Sequence, residues 1–198
     1  MLSFALSYKV SFIFLLLLVP ALFAWTRSIQ KALYYATLRT ALRSEKGFCI
    51  LYGAITGDII GSVYEFNNIR TKDFELFSPK CSFTDDTVCT VAIADSILKG
   101  NNPVDALLFW CRKYPNAGYG DRFKDWIFSS NKPNPYNSFG NGAAMRISPI
   151  IHVEKNIDDL IYLSDKFTEI THNHTEGLKG ARAIAVAGFM AKNKFDME

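Results

Sequence analysis

The chain has 198 residues, enough for one domain with a sizeable core, and a formal net charge of +3. The charge is unevenly placed: residues 1–47 hold six Lys/Arg and one acid, Glu45, leaving 16 basic and 18 acidic residues for 48–198. The main body is therefore no polycation, and nothing in it argues for a nucleic-acid footprint.

Between Lys9 and Arg27 lie 17 uncharged residues, with Phe12 to Val19 entirely apolar. A membrane span needs about 20 residues, and Pro20 interrupts this run. Three readings stand. It is a non-native or dispensable extension, with translation starting near Gly47; or an anchor, with membrane contact confined to residues 10–26; or a cleaved signal, for which Ala21-Leu22-Phe23-Ala24 is a poor cleavage site. Arg27, Lys31, Arg39 and Arg43 would favour a cytoplasmic side for the rest of the chain. Residues 26–46 read as a basic helical linker (Ile29, Leu33, Leu38, Leu42). The chain thus divides into an N-terminal extension, 1–47, and a folded domain, 48–198. That domain is expected in the cytoplasm or, on the anchor reading, tethered to a membrane.

Residues 48–66 carry Gly53, Gly57 and Gly61 at every fourth position. On a helix they share one face, which predicts tight packing against another helix. The same spacing marks membrane helix pairs, but Asp58 and the short apolar length argue against that. Residues 67–82 are polar and irregular. A helix is predicted over 85–99, closed by Gly100, and Asn102-Pro103 starts the next, through Leu107 to Arg112. Residues 114–142 form a long ordered loop around a short amphipathic piece, Phe123 to Phe128. Residues 143–152 and 157–171 read as helices, as does the Ala-rich run Ala181 to Met190. No alternating strand pattern is present, so the fold class is all-α, a compact multi-helix domain. Cys49, Cys81, Cys89 and Cys111 form no C-x-x-C pair and no metal-like spacing with His. They read as small buried hydrophobes in a reducing compartment.

Four segments carry chemistry. Phe83-Thr84-Asp85-Asp86-Thr87 places two adjacent carboxylates at a helix start. They repel unless a positive group lies beside them, and a hard divalent cation takes oxygen ligands; a plain N-cap is the competing reading. Asn137-Ser138-Phe139-Gly140-Asn141-Gly142 runs into a helix, which is either an anion-binding arrangement or an ordinary turn with its cap. Thr171-His172-Asn173-His174 offers two histidines as metal ligands or substrate-positioning groups. Glu65, just past the Gly-rich helix, could act as general acid or base.

In this order, Gly57-Asp58-Ile59-Ile60-Gly61-Ser62-Val63-Tyr64-Glu65, the 83–87 motif, Ser138-Phe139-Gly140-Asn141-Gly142-Ala143-Ala144-Met145-Arg146 and Thr171-His172-Asn173-His174 resemble the ADP-ribosylglycohydrolase family. That family includes the dinitrogenase-reductase-activating glycohydrolases and the ADP-ribosylhydrolases. Lys113-Tyr114-Pro115-Asn116-Ala117-Gly118-Tyr119-Gly120 is similar to its bacterial members, and the resemblance covers about residues 49–195. It implies an all-α domain around a two-magnesium site, with Thr84, Asp85 and Asp86 as metal ligands and Glu65 as the acid/base residue on a mobile loop. Ser138, Phe139, Gly140, Asn141 and Gly142 would take up the substrate's diphosphate and ribose, with Met145 and His172 lining the pocket.

Two departures stand out. Thr175 occupies a position where many bacterial members have Pro. The family's last motif, an Asp-x-Asp-Thr that completes the metal pair, is absent, so the domain is expected to be incomplete at its C-terminus. The second magnesium site would then lack ligands, and Ile184, Val186 and Phe189 would be uncovered. The implied function is a magnesium-dependent hydrolase that cleaves the glycosidic bond of ADP-ribosylated proteins or ADP-ribose-containing small molecules. The alternative is an inactive relative that at most binds ADP-ribose.

Overall fold

The computed structural model describes residues 45–130 and 133–193. The apolar run at 10–26 and most of the N-terminal extension lie outside the described residues. Among those described, no helix is long and apolar enough to cross a membrane.

The regular structure of the described residues is all helical, with seven α-helices and one 3₁₀ helix. In order they are α1 (Glu45–Gly61), α2 (Asp85–Lys99), α3 (Pro103–Lys113), α4 (Asp121–Phe128), the 3₁₀ helix Asn141–Arg146, α5 (Ser148–Val153), α6 (Ile157–Thr168) and α7 (Thr175–Lys192). The all-α class agrees with the sequence pattern.

Short polar residues start these helices by accepting from N–H groups that have no partner inside the helix. Thr84 accepts from the Asp86 N–H at the start of α2, Asn102 from Val104 on α3, and Asn156 from Asp159 on α6. Gly100 closes α2 in the left-handed conformation. Three stretches differ from the sequence reading. Helix α6 stops at Thr168, and residues 169–171 form a turn. Residues 141–153 form a 3₁₀ turn and then α5, because Pro149 lacks an N–H and fits only a first helical turn. The last helix begins at Thr175, because the His174 ring accepts from the Glu176 N–H at 3.1 Å and caps it.

Helix α2 lies at the centre. Its Val88, Cys89, Ala92, Ile93 and Ile97 are buried, and it packs on α1, α3, α5 and the 3₁₀ turn. Helix α7 packs on α5, α6 and the same 3₁₀ turn. Two helices, α2 and α7, thus converge on residues 141–146 and hold that turn against α2.

The glycine face of α1 departs from the expectation of tight packing. A Cβ built on Gly53, Gly57 or Gly61 would meet nothing within 4 Å. Helix α1 instead meets α2 and α5 through its other faces. The C-terminal expectation holds for one residue in three: Ile184 is exposed and Val186 half-buried, but Phe189 is buried. Cys89 and Cys111 are buried free thiols, while Cys81 is half-buried and accepts from the Ser78 N–H.

Candidate active site

The start of α2 is clamped from outside by one carboxylate. Asp58, on α1, accepts from the N–H groups of Thr84 (2.8 Å) and Thr87 (3.2 Å), and from the hydroxyls of Thr84 (2.6 Å) and Thr87 (2.5 Å). A carboxylate is well placed there, because the free N–H groups and dipole of a helix start favour negative charge. Because Asp58 takes these donors, Asp85 and Asp86 are left to face the cleft in front of the helix.

Burial pushes Asp85 up to about 6, helped by the neighbouring Asp86 charge and, less strongly, by Glu65 and Asp58. Asp86 is raised too, by burial first and then by Asp58 and Glu65. Among the described residues no Lys, Arg or His forms an ion pair with any of these acids.

The cleft has a volume of about 620 Å³, within the range of small-molecule sites. Glu65, Asp85 and Asp86 line it together with Ser138, Asn141, Gly142, Met145 and His172. The adjoining lobe, about 440 Å³, opens past Gly57, Asp58 and Gly61 and shares Glu65, Asp86, Asn141 and Met145. Eight sequence-predicted residues are thus brought to one cavity from four separate segments. Thr84, Phe139 and Gly140 are not among its lining. The Thr84 hydroxyl donates to Asp58 and accepts from Asp86, the Phe139 ring is 69% exposed against the edge of His174, and the Gly140 N–H donates to Ser138 Oγ.

The wall opposite the acids is tied together by the 171–177 segment. The Thr171 carbonyl accepts from the Tyr136 and Ser138 N–H groups, both at 3.4 Å. Asn173 Oδ1 accepts from the Asn137 N–H at 2.8 Å. A Cβ on Gly177 would lie 2.8 Å from the Ser138 carbonyl oxygen and 3.2 Å from His172 Cβ, so only glycine allows this approach. The two histidines therefore part company: His174 caps α7, while His172 is buried and lines the cleft. Burial holds His172 down at about 4, with Arg146 and Arg122 adding to the effect.

Four residues that shape this site escaped the sequence reading: Asp58, Arg122, Arg146 and Thr171. Arg122 projects from the first turn of α4, donates to the Tyr136 carbonyl and lies 5.0 Å from that ring's centroid. Arg146 is 1% exposed and lines the cleft from behind. Asp58 and Arg146 both stand inside motifs singled out from sequence, but nothing local announces a partner 26 residues away (Thr84) or 25 residues away (Thr171).

Among the described residues no three His, Cys, Asp or Glu side chains are grouped so as to hold a metal ion. The Asp pair and the Thr84 hydroxyl nevertheless suit a hard cation in their chemistry. All are oxygen donors, although the Thr84 hydroxyl already donates to Asp58 and accepts from the Asp86 N–H.

Comparison with known proteins identifies the family. The ADP-ribosylglycohydrolase family model matches residues 39–195. ADP-ribosylhydrolase ARH3 of Xenopus tropicalis is 29% identical over 167 residues, covering 69% of this chain and 47% of that protein. The mouse protein of the same name is 26% identical over 175 residues (71% and 47%), and the human one 25% over 176 (71% and 48%). The chain spans about half the length of these relatives. With its four ordered motifs gathered in one cleft and the family model matched over most of its length, the chain belongs to the ADP-ribosylglycohydrolase family.

Proposed function

We propose that the cleft takes an ADP-ribose-bearing substrate and that the protein hydrolyses the bond between ribose and its acceptor, a protein side chain or a small molecule. The observation that carries this reading is the polarity of one cavity. Carboxylates from the ends of α1 and α2 face a neutral histidine, a buried arginine and a polar loop from three other segments. A ligand with a sugar at one end and a diphosphate beyond it matches that polarity. The activity for which the relatives are named, ADP-ribosyl hydrolysis, supports the same assignment.

Thr84, Asp85 and Asp86 would hold Mg²⁺, completed by water because no further acid joins them among the described residues. Such an ion supplies charge neutralisation and orients sugar hydroxyls and water. Glu65 is exposed where α1 has ended and borders both lobes. It would take a proton from the attacking water or return one to the leaving group. Ser138, Asn141, Gly142 and His172 would meet the diphosphate and ribose, with Met145 packing beneath. Residues 48–198 would form the working domain.

A second reading, binding without turnover, is favoured by the small ligand set. The two separate on one pair of measurements: calorimetric binding of ADP-ribose to the 198-residue chain with Mg²⁺, and release of ADP-ribose from an ADP-ribosylated protein. We expect binding, and slow release that Asp85→Ala abolishes. Binding with no release selects the second reading. No binding at any Mg²⁺ concentration rejects both.

A further inference from the structure

The Thr171 hydroxyl touches two groups: the Arg146 guanidinium at 2.6 Å and His172 Nδ1 at 2.7 Å. A guanidinium can only donate, so Thr171 Oγ1 accepts from Arg146. Thr171 is fully buried, and among the described residues its own hydrogen has no acceptor other than His172 Nδ1. Nδ1 is therefore the bare nitrogen of the ring, and the ring proton is on Nε2. That atom is the one turned toward the 140–142 loop. A Cβ built on Gly142 would lie 3.4 Å from Nε2, and one on Gly140 3.8 Å.

Arg146 reinforces the arrangement. Its Nε is buried without a hydrogen-bond partner, and no carboxylate lies within ion-pair distance among the described residues. An uncompensated positive charge behind the imidazole disfavours a second one on it. It also leaves the nearby cleft wall electrostatically suited to an anion.

We propose that Arg146 and Thr171 are positioning residues that fix His172 as the neutral Nε2–H tautomer, a standing hydrogen-bond donor to a phosphate oxygen in the cleft. His172 is then neither a general base nor a metal ligand through Nε2, because that nitrogen already carries a proton. The phosphate belongs to the ADP-ribose reading; the tautomer does not depend on it. Burial together with Arg146 and Arg122 keeps the ring neutral, which suits a donor that must work without protonation.

The test has two arms. Nitrogen-15 NMR of the imidazole in the full chain should show a bare Nδ1 and a protonated Nε2 between about pH 6 and 8. A protonated Nδ1, or a doubly protonated ring at pH 6, overturns the proposal whatever the ligand does. In the second arm, Thr171→Val removes the hydroxyl at nearly constant volume and Thr171→Ser keeps it. Thr171→Val should weaken ADP-ribose binding roughly tenfold, Thr171→Ser much less, and neither should alter binding of adenosine, which has no phosphate. Equal loss for adenosine and ADP-ribose would mean a merely structural role and would overturn the donor assignment. A wild-type chain with the Nε2–H tautomer that binds no ADP-ribose upholds the tautomer and sinks the functional reading instead.

Discussion

Along one side of the cleft, Glu65, Asp85 and Asp86 gather negative charge with no basic partner among the described residues. Along the other, Arg146 is buried with no acidic one. Each side is organised by a single polar hub: Asp58 collects four donors around the start of α2. Thr171 accepts the Arg146 donor through its hydroxyl and two loop N–H groups through its carbonyl. The acid side is mostly local, one helix turn clamped by one distant residue. The cationic side joins three segments, 136–142, Arg146 and 171–177. Unpaired charge out of water is costly, so neither side is at its best without a ligand. On the proposed reading, a cation would relieve the first side and an anionic substrate the second.

The comparison breaks most visibly at the hubs. Asp58→Ala strands two N–H groups and two hydroxyls, so we expect a loss of roughly 3 kcal/mol in urea unfolding, more than Asp58→Asn, which retains an acceptor oxygen. Unchanged stability would mean that the clamp is ornamental and that α2 starts where it does for local reasons alone. Gly177→Ala attacks the other side. Its methyl would lie 2.8 Å from a backbone oxygen that cannot easily give way, so we expect a loss of about 1–3 kcal/mol. It should weaken ADP-ribose binding while leaving Mg²⁺ binding at the acid side intact, as expected for separate sites. Coupled loss of both would show that the two walls are one unit.

Gly118 tests the acid side alone, because it lines the cleft next to Asp85. Its φ is +97°, and an added Cβ would meet only Asp85 Oδ1, at 3.9 Å. The space exists, so Gly118→Ala tests the backbone alone and should cost about 1–2 kcal/mol of stability. A negligible change would show that the 118–120 loop relaxes freely and does not hold the cleft's shape.

The helices and the acid side were legible in the sequence because they rest on short-range signals: Thr84 ahead of the Asp pair, Asn102 ahead of Pro103, Gly100 as a stop. Two of the boundaries that slipped did so where a less usual residue did the capping (His174) or where a tight 3₁₀ turn replaced α-helix before Pro149. The glycine face of α1 misled because spacing predicts which residues share a face but not whether anything covers it. On the cationic side the motifs were visible but not their wiring. Arg146 was read as a helix residue and Thr171 as the lead-in to a histidine pair, since pairing across 25 residues leaves no local trace.

The smallest effect expected concerns protons and metal on the acid side. Asp85 is pushed up to about 6 from its ordinary 3.8, by burial first and then by Asp86. In the metal-free protein the folded state therefore binds more protons than the unfolded state between about pH 4 and 6. This group's contribution to stability declines as pH rises through that window. Metal binding requires the charged carboxylate, so protons and Mg²⁺ compete for Asp85. Mg²⁺ should thus stabilise the fold most at about pH 8, by roughly 1.4 kcal/mol at ten times its Kd, and the effect should fade as pH falls toward about 5. The measurement is the Mg²⁺-induced shift in Tm across that range, with Ca²⁺ as a second oxygen-seeking ion. Asp85→Asn should raise the metal-free stability near pH 8, because it removes one of two facing charges, and should flatten the pH dependence of any remaining Mg²⁺ effect. An equal Mg²⁺ shift at pH 5 and pH 8 in the wild type would place the ion away from Asp85 and remove the acid side's share of the contrast.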